Sequence, residues 1–450
     1  AASIAPNRAD YHRHVGSILC RLEDYQQAVE ELRTALRLDA DDAEIHALFG
    51  GACEAAGDDR DALKAYQKAI ALAPDAAAYH RHSGRLLQKL GDRDSAGESL
   101  QKAISLDASD VEAHRALGEL WEDDRHLEGA LTEYRQAADL APDVARNWRA
   151  YGRVLRKLGR FEEASETLQK ALNADPKDAA SHYELGLALE AEAKYQAARS
   201  QYEDAIALSP DRPQYRLGLG AIWRKIGLQA RRLQQADVSP ATVWGEDVGP
   251  ERYDEGIASL QTAAELGEDS PALDAELGAL LFLRGRLDEA LVNLRRALER
   301  APESAFHHRV LGMAYRSIED YDGSLRELRM AESLQPESAE TQYELALTLE
   351  QMGEREDVEK ARLRKEALEA LEKATRLAPS SAIHHFALGD RLFRHGRYDQ
   401  ARIALERAVE LRPSFASWQA KLGDVHTEQG CDDLALEAYG RALESEPREV

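Results

Sequence analysis

The chain has 450 residues, of which 44% are hydrophobic and 31% are charged, so it can bury apolar surface and remain in solution. Its formal net charge of −24 argues against a general affinity for nucleic acid or for an anionic membrane surface. No apolar run approaches the ~20 residues that a membrane-spanning helix needs, so membrane insertion is not expected.

Three scattered cysteines, Cys20, Cys53 and Cys431, lack the spacing of metal ligands and are too few for a disulfide framework. A reducing, cytoplasmic location is therefore expected, and no signal peptide is evident at the N-terminus. The chain has no HExxH motif, GxGxxG loop, phosphate loop or evident pairing of a nucleophile with a base. We therefore predict neither an enzyme nor a bound cofactor.

After a lead-in at residues 1–8, small residues recur at a fixed spacing. Steps of 34 residues separate Gly16, Gly50, Gly84, Gly118, Gly152, Gly186 and Gly220. The series resumes at Gly278, Gly312, Ala346, Gly389 and Gly423. Further along most windows, a large apolar residue stands between two small ones, as in Ala198, Tyr202 and Ala205, and a proline such as Pro210 closes the window. Small residues let antiparallel helices approach closely, and proline ends the second helix. Each window therefore predicts a helix pair.

This pattern resembles the tetratricopeptide repeat family, in twelve windows from residue 9 to about residue 449. The resemblance implies an all-α fold, a right-handed α-solenoid (superhelix) of antiparallel helix pairs whose first helices line the concave face. It also implies a non-catalytic scaffold for protein–protein interaction. Such a scaffold would bind a peptide or protein segment along its concave groove and would not bind nucleic acid.

Two breaks in the spacing divide the repeats. Repeats 1–6 and the first helix of repeat 7 are expected at residues 9–227, followed by an insertion at 228–251. The first part of this insertion, 228–237, reads as an extension of the helix, and 238–251 reads as a loop. The second helix of repeat 7 and repeats 8–12 then occupy 252–450. A 9-residue insertion near 354–362 is expected to lengthen both helices of repeat 10.

Arginine is frequent at the positions of the N-terminal half that would face the groove. These positions are Arg81, Arg85, Arg115, Arg146, Arg149, Arg153 and Arg156. Because a guanidinium group pairs bidentately with carboxylate or phosphate, they predict capture of an acidic segment. The alternative is that acidic neighbours such as Glu119 and Glu122 hold them in a solvated lining. The carboxylate clamp of the family's chaperone-binding members is not matched, since Arg replaces its Lys and its Asn residues are missing.

The C-terminal half offers aromatic residues at the corresponding positions, namely Phe282, Tyr343, Phe386 and Phe393. They predict a more apolar groove suited to an amphipathic helix, and core packing between repeats is the alternative. Trp244 in the inserted loop is a further candidate contact, because a loop tryptophan has no evident core position. It could instead fold back and cap the groove.

Histidine recurs near the start of the first helices, at His12, His46, His80, His114, His182, His308 and His385. Neighbouring pairs stack about 10 Å apart, too far for two of these residues to share a metal at ~2.1 Å. We therefore expect packing and no metal site.

Two other functions remain open from the sequence. The array could be the sensor or substrate-recruiting arm of a larger protease, glycosyltransferase or kinase, because the chain lacks an initiator Met and a polar capping helix. It could also self-associate through its terminal repeats.

Overall fold

The computed structural model describes residues 8–244, 249–355 and 359–445, apart from the side chains of Thr242, Trp244 and Pro250. Within these ranges every regular element is a helix. The chain divides into two compact units, unit 1 at Ala1–Leu208 and unit 2 at Ser209–Val450. Consecutive helices pack as antiparallel pairs, so the predicted all-α solenoid is confirmed.

Unit 1 consists of helix pairs of nearly constant length. The first helices are α1 (Ala9–Arg21), α3 (Ala43–Ala56), α5 (Ala77–Leu90), α7 (Val111–Asp123), α9 (Ala145–Lys157) and α11 (Ala179–Ala191). The second helices are α2 (Tyr25–Leu38), α4 (Asp59–Leu72), α6 (Arg93–Leu106), α8 (Leu127–Leu140), α10 (Phe161–Ala174) and α12 (Tyr195–Leu208). Each second helix packs on its own first helix, and α2, α4, α6, α8 and α10 also pack on the first helix that follows. Among the first helices, α1 contacts α3, α5 contacts α7, and α9 contacts α11. The surface that the first helices form is called here the first-helix face.

Unit 2 follows the same plan with longer elements. Its first helices are α13 (Pro213–Gln235), α16 (Pro271–Arg284), α18 (Ala305–Ser317), α20 (Ala339–Arg355), α22 (Ala382–Arg394) and α24 (Ala416–Glu428). Its second helices are α15 (Tyr253–Glu265), α17 (Leu287–Arg300), α19 (Tyr321–Leu334), α21 (Lys360–Leu377), α23 (Tyr398–Leu411) and α25 (Asp432–Ser445). The short helix α14 (Pro240–Trp244) and a 3₁₀ turn at Pro250–Arg252 connect α13 to α15.

The recurring small residues lie where the two helices of a pair meet. A Cβ atom at Gly152 would lie 2.6 Å from Cγ of Leu168, and one at Gly186 would lie 2.8 Å from the ring of Tyr202. Leu168 and Tyr202 are themselves fully buried. The large residue of one helix therefore fills the space that the missing side chain of the other leaves, and this contact sets the spacing within a pair.

The histidine column fastens each pair to the loop that precedes it. Nε2 of His46, His80, His114, His182, His308 and His385 lies 2.8–3.1 Å from the backbone oxygen of the residue six positions earlier. Trp148 takes the same place in its window, where its Nε1 donates to the Pro142 carbonyl at 2.9 Å. The residues that the structure describes contain no group of three or more His, Cys, Asp or Glu side chains placed to hold a metal.

The breaks in the repeat spacing correspond to long helices. Helix α13 has 23 residues, and α20 and α21 have 17 and 18, whereas the first and second helices of unit 1 have 13 or 14. The segment expected to be a loop, 238–251, contains α14, which begins at Pro240 because proline suits the first turn of a helix. Residues 245–248 and 356–358, within the two expected insertions, lie outside the described residues.

Replacing Gly152 by alanine should destabilise the chain, because the new Cβ would overlap Leu168. The control is Gly97→Ala in the interior of α6, where the new Cβ would lie 3.6 Å from Cδ2 of Leu120, an ordinary contact. Each change replaces a helical glycine by alanine and so gains about 1 kcal/mol of helix propensity. The difference between the unfolding free energies of the two variants therefore measures the overlap alone. Urea unfolding followed by circular dichroism should place Gly152→Ala about 1–3 kcal/mol below Gly97→Ala. Equal unfolding free energies would contradict the close approach.

Candidate functional site

A cavity of about 350 Å³ opens on the first-helix face of unit 1, between α1, α3 and α5. We call it the unit 1 cavity. Small residues of α3, Ala47 and Gly51, leave the space open, and larger residues surround it. The side chains that give the cavity its character are Tyr25, Leu48, Tyr66, Ala78, Tyr79 and His82.

The lining of the unit 1 cavity combines apolar residues with polar ones, among them Glu44, Tyr66 and His82. The rings of Tyr66 and His82 stack in parallel, with centroids 5.0 Å apart. Burial raises the pKa of Tyr66, so its hydroxyl stays protonated at neutral pH and can donate a hydrogen bond. Nδ1 of His82 lies 3.6 Å from Oε2 of Glu54, and this interaction with His82 lowers the pKa of the Glu54 carboxyl. The cavity can therefore hold an apolar side chain and offer polar contacts beside it.

Several groove-facing arginines of one column join a first helix to the start of the next. Nη1 of Arg81 donates to both carboxylate oxygens of Asp110 at 2.8 and 2.9 Å, and Asp110 caps the N-terminus of α7. Nη1 of Arg149 donates to one carboxylate oxygen of Asp178, the residue before α11. In unit 2, Arg309 donates to Ser338 just before α20, at 3.3 Å. This column therefore braces consecutive helix pairs.

Glu122 on α7 accepts hydrogen bonds from three further side chains of unit 1. Arg153 donates to its two oxygens at 2.7 and 2.9 Å, Lys157 donates at 2.7 Å and the Tyr134 hydroxyl at 2.9 Å. Burial alone would raise the pKa of Glu122, but the hydrogen bonds from Arg153 and Lys157 outweigh it and lower that pKa to about 2. The carboxylate is therefore ionised at any physiological pH, and it holds Arg153 in place.

Acidic side chains also engage most of the other arginines that the sequence suggests as contacts. These pairs are Arg115 and Arg146 with Glu112, and Arg156 with Glu184 at 2.9 Å. Arg85 differs, because it is exposed on α5 and forms no hydrogen bond or ion pair within the described part of the chain. It lies one turn along α5 from His82, so it stands beside the unit 1 cavity. Partner binding by any of these arginines stays a prediction.

The aromatic residues expected to line a groove in unit 2 are mostly buried. Phe282, Tyr343 and Phe386 are only 2%, 1% and 3% exposed, so the structure gives a partner no access to them. Phe393 is half-buried against Tyr398, and the Lys421 ammonium lies 5.1 Å from its ring centroid. Trp244 ends α14, and its side chain lies outside the described residues.

The reason for this burial is the end of α13 and the residues that follow it, 228–238, called here the α13 extension. Leu233, Ala236 and Val238 of the extension belong to one apolar cluster with Tyr343 and Phe386. The guanidinium group of Arg231 covers the ring of Phe282, 4.7 Å from its centroid. Of the two alternatives that the sequence left open, the structure supports core packing for these three aromatic residues, because the chain covers them itself.

Sequence reasoning missed the residues that receive the extension and those that form the unit 1 cavity. Trp418 on α24 stacks on Phe386 with centroids 4.9 Å apart, and it was not singled out. The available signal was the apolar spacing of Leu233, Ala236 and Val238 in a helix too long for its repeat. The cavity has no comparable signal, because it arises from small residues whose neighbours happen not to fill the space.

This fold, with repeated helix pairs and one face made by their first helices, defines a repeat protein of the α-solenoid class. The tetratricopeptide repeat profile matches residues 16–77, 83–145, 249–305, 356–414 and 386–449. Related profiles, described as TPR repeat and tetratricopeptide repeat, match 152–192 and 179–212. The chain belongs to the tetratricopeptide repeat family. This membership makes it a protein-interaction scaffold. No curated protein matches the sequence.

Solved structures with similar folds share little sequence identity with this chain. Yeast Tom70 is 14% identical over 98% of this chain and 97% of its own, with a TM-score of 0.42. PilF of Pseudomonas aeruginosa is 20% identical over 52% of this chain and 96% of its own, with a TM-score of 0.41. YrrB, described as a TPR protein with an unusual peptide-binding site, is 21% identical over 41% of this chain and 95% of its own, with a TM-score of 0.37.

The described helices were also compared with the requirements of a membrane span. Over the ranges that the structure covers, none combines the length and the apolar character needed to cross a bilayer.

The low pKa of Glu122 predicts a pH-dependent contribution to stability. Because the folded pKa of about 2 lies below the unfolded value near 4.3, the stabilisation is complete above about pH 5 and declines as the pH falls toward 2. Glu122→Gln should lower the unfolding free energy by about 2–3 kcal/mol at pH 7, and by about 1 kcal/mol less at pH 3.5.

Urea unfolding at the two pH values measures both differences. The control is Glu119→Gln on the exposed face of the same helix, which should change the unfolding free energy by less than about 0.5 kcal/mol. A Glu122→Gln effect that is the same at pH 7 and pH 3.5 would contradict the assigned network.

Proposed function

We propose that the first-helix face of unit 1 binds an extended peptide of a partner protein, and that one apolar side chain of this peptide enters the unit 1 cavity. The observation that carries the proposal is the cavity itself, about 350 Å³ of space between three first helices. That volume suits a single large apolar side chain, whose burial contributes about 1.5–3 kcal/mol. The Tyr66 hydroxyl and His82 supply polar groups that could fix the orientation of the peptide.

The preferred peptide carries an acidic residue close to its apolar anchor. Arg85 supports this, because it is exposed beside the cavity and forms no hydrogen bond or ion pair within the described residues, although its charge helps to lower the pKa of Glu54. The other groove-facing arginines of unit 1 hold carboxylates of the chain itself, and a partner could engage them only by displacing those carboxylates. Binding of an acidic segment is therefore assigned to Arg85 ahead of Arg149 and Arg153.

Filling the cavity should weaken peptide binding. Peptides selected from a displayed random library against the intact chain would be synthesised, labelled and titrated by fluorescence anisotropy. Ala78 lines the cavity at an exposed position, so Ala78→Trp can place an indole in the space without disturbing the core. We expect the Kd to rise at least about tenfold, the loss of about 1.4 kcal/mol.

The matched control for this test is Ala55→Trp, at an exposed position of α3 outside the cavity, and it should bind as the unmodified chain does. Peptides whose binding survives Ala78→Trp would exclude the cavity as their site.

Reversing the charge of Arg85 should weaken the same peptides when they contain an acidic residue. A hydrogen bond to a charged group is worth roughly 1.5–3 kcal/mol, so Arg85→Glu should raise the Kd about tenfold or more. The control Arg60→Glu changes the net charge equally at an exposed position of the second helix α4, and it should leave the Kd within about twofold. If the two variants bind alike, the peptide contact is not made by Arg85.

A further inference from the structure

The α13 extension is additional to the helix pair that contains it. Helix α13 packs on α15 as any first helix packs on its second helix. Its total length of 23 residues, however, exceeds the 13 or 14 residues of the other regular first helices. The surplus is not needed to complete the pair. It lies instead on the first-helix face of unit 2 and contacts α16, α18, α20 and α24.

Two side chains of α24 donate hydrogen bonds to the C-terminal end of the α13 extension. Nε1 of Trp418 donates to the Ala236 carbonyl at 2.7 Å, and Oγ of Ser417 donates to the Asp237 carbonyl at 2.9 Å. The last carbonyls of a helix have no partner within the helix, so these two bonds satisfy groups that would otherwise need water. The face therefore recognises a helix end as well as an apolar surface.

The end itself has a defined shape. The Val238 N–H donates to the Leu233 carbonyl at 2.9 Å, and the Asp237 N–H donates to the Gln234 carbonyl at 3.2 Å. Asp237 adopts a left-handed conformation with φ of 55°, which closes the helix and turns Val238 back onto the apolar cluster. Glu23, Arg125, Ala193 and Glu319 end other first helices with the same left-handed conformation, so this is the ordinary end of a first helix in this chain.

Opposite charges meet along the side of the extension. A guanidinium nitrogen of Arg232 lies 3.8 Å from Oε1 of Glu340 on α20. Burial favours the neutral form of Glu344, but the charges of Arg316, Arg232 and Arg231 lower its pKa by more than burial raises it. This carboxylate is therefore ionised beneath the extension. Arg316 of the same face already pairs with Glu344 at 2.5 Å, and Arg309 of the face has a pKa that burial and the charge of Arg232 lower. The match of opposite charge between the extension and the face therefore rests on Arg232 and Glu340.

Several polar contacts of the extension are long or incomplete. Arg231 reaches Ser317 only at 3.3 Å, and its buried Nε has no hydrogen-bond partner among the described residues. The Tyr343 hydroxyl lies 3.5 Å from Gln235. A buried guanidinium nitrogen without an acceptor costs free energy, so the extension is held less firmly than an optimised core helix.

From this arrangement we propose that the α13 extension is a displaceable internal ligand of the first-helix face of unit 2. The partner that displaces it is a basic amphipathic helix with the same order of groups. It carries two adjacent arginines and apolar residues on the adjoining face. The carbonyl groups at its C-terminal end accept hydrogen bonds from Trp418 and Ser417. Unit 2 is closed to partners while its own segment is docked.

Hydrogen exchange of the unmodified chain tests whether the extension undocks locally. Amides of 228–238 should exchange at least about tenfold faster than those of α16 and α20, because undocking leaves the repeats folded. Equal protection of these segments would overturn the proposal, since the extension would then open only with the whole unit.

A labelled peptide with the sequence of residues 225–240 tests the chemistry of the partner. Arg232→Glu/Val238→Asp weakens the internal ligand and leaves the receiving side chains intact. This variant of the full chain should bind the peptide at least about tenfold more tightly than the unmodified chain. The control Arg216→Glu on α13, outside the extension, should bind as the unmodified chain does.

A second peptide, with both arginines replaced by glutamate, should bind neither chain if charge complementarity selects the ligand. The proposal would be overturned if Arg232→Glu/Val238→Asp bound the basic peptide no better than the unmodified chain, or bound the two peptides equally.

The variant Trp418→Phe tests the hydrogen bond between α24 and the end of the extension. Phenylalanine keeps the aromatic stack on Phe386 and removes the bond to Ala236, so exchange of 228–238 should accelerate several-fold. Trp148→Phe removes an equivalent indole–carbonyl bond in unit 1 and should leave that exchange unchanged. An identical exchange rate in Trp418→Phe and the unmodified chain would overturn the role given to α24.

Discussion

The close approach of the two helices in each pair is the contact on which the rest of the structure depends. Gly152 of α9 has no side chain, and the fully buried side chain of Leu168 on α10 fills the space beside it. Repetition of this contact makes the pairs alike, and within each unit alike pairs stack with their first helices on one face. The positions of all groups on that face, including the unit 1 cavity, follow from the spacing within the pairs.

Charge on the first-helix faces serves mainly to join the pairs. Arg81 and Arg149 each reach an acidic residue at the start of the next first helix, and Glu122 gathers donors from the pair that follows it. Breaking such a partly buried ion pair by removing one partner leaves the other charge uncompensated, so these contacts hold consecutive pairs in place. In the proposed function, the partner contacts unit 1 at the cavity and at the exposed Arg85.

The sequence predicted the helix pairs, their count and the long helices of repeats 7 and 10, because each depends on local spacing and on proline or glycine at fixed places. It did not predict the role of His114 and its column, whose bonds join a ring to a carbonyl six residues earlier. It also left Tyr343 between two alternatives, an open groove and core packing between repeats. Burial of Tyr343 depends on residues more than a hundred positions away, such as Gln235, and no local pattern encodes that distance.

The central claim is that partners meet the first-helix face of unit 1 while that of unit 2 is occupied by the chain itself. Hydrogen exchange across the full chain, with and without a saturating library-selected peptide, tests it most directly. The account predicts added protection in α1, α3 and α5, and none in α18, α20 and α24. Protection in α18, α20 and α24 with no change in α1, α3 and α5 would contradict it.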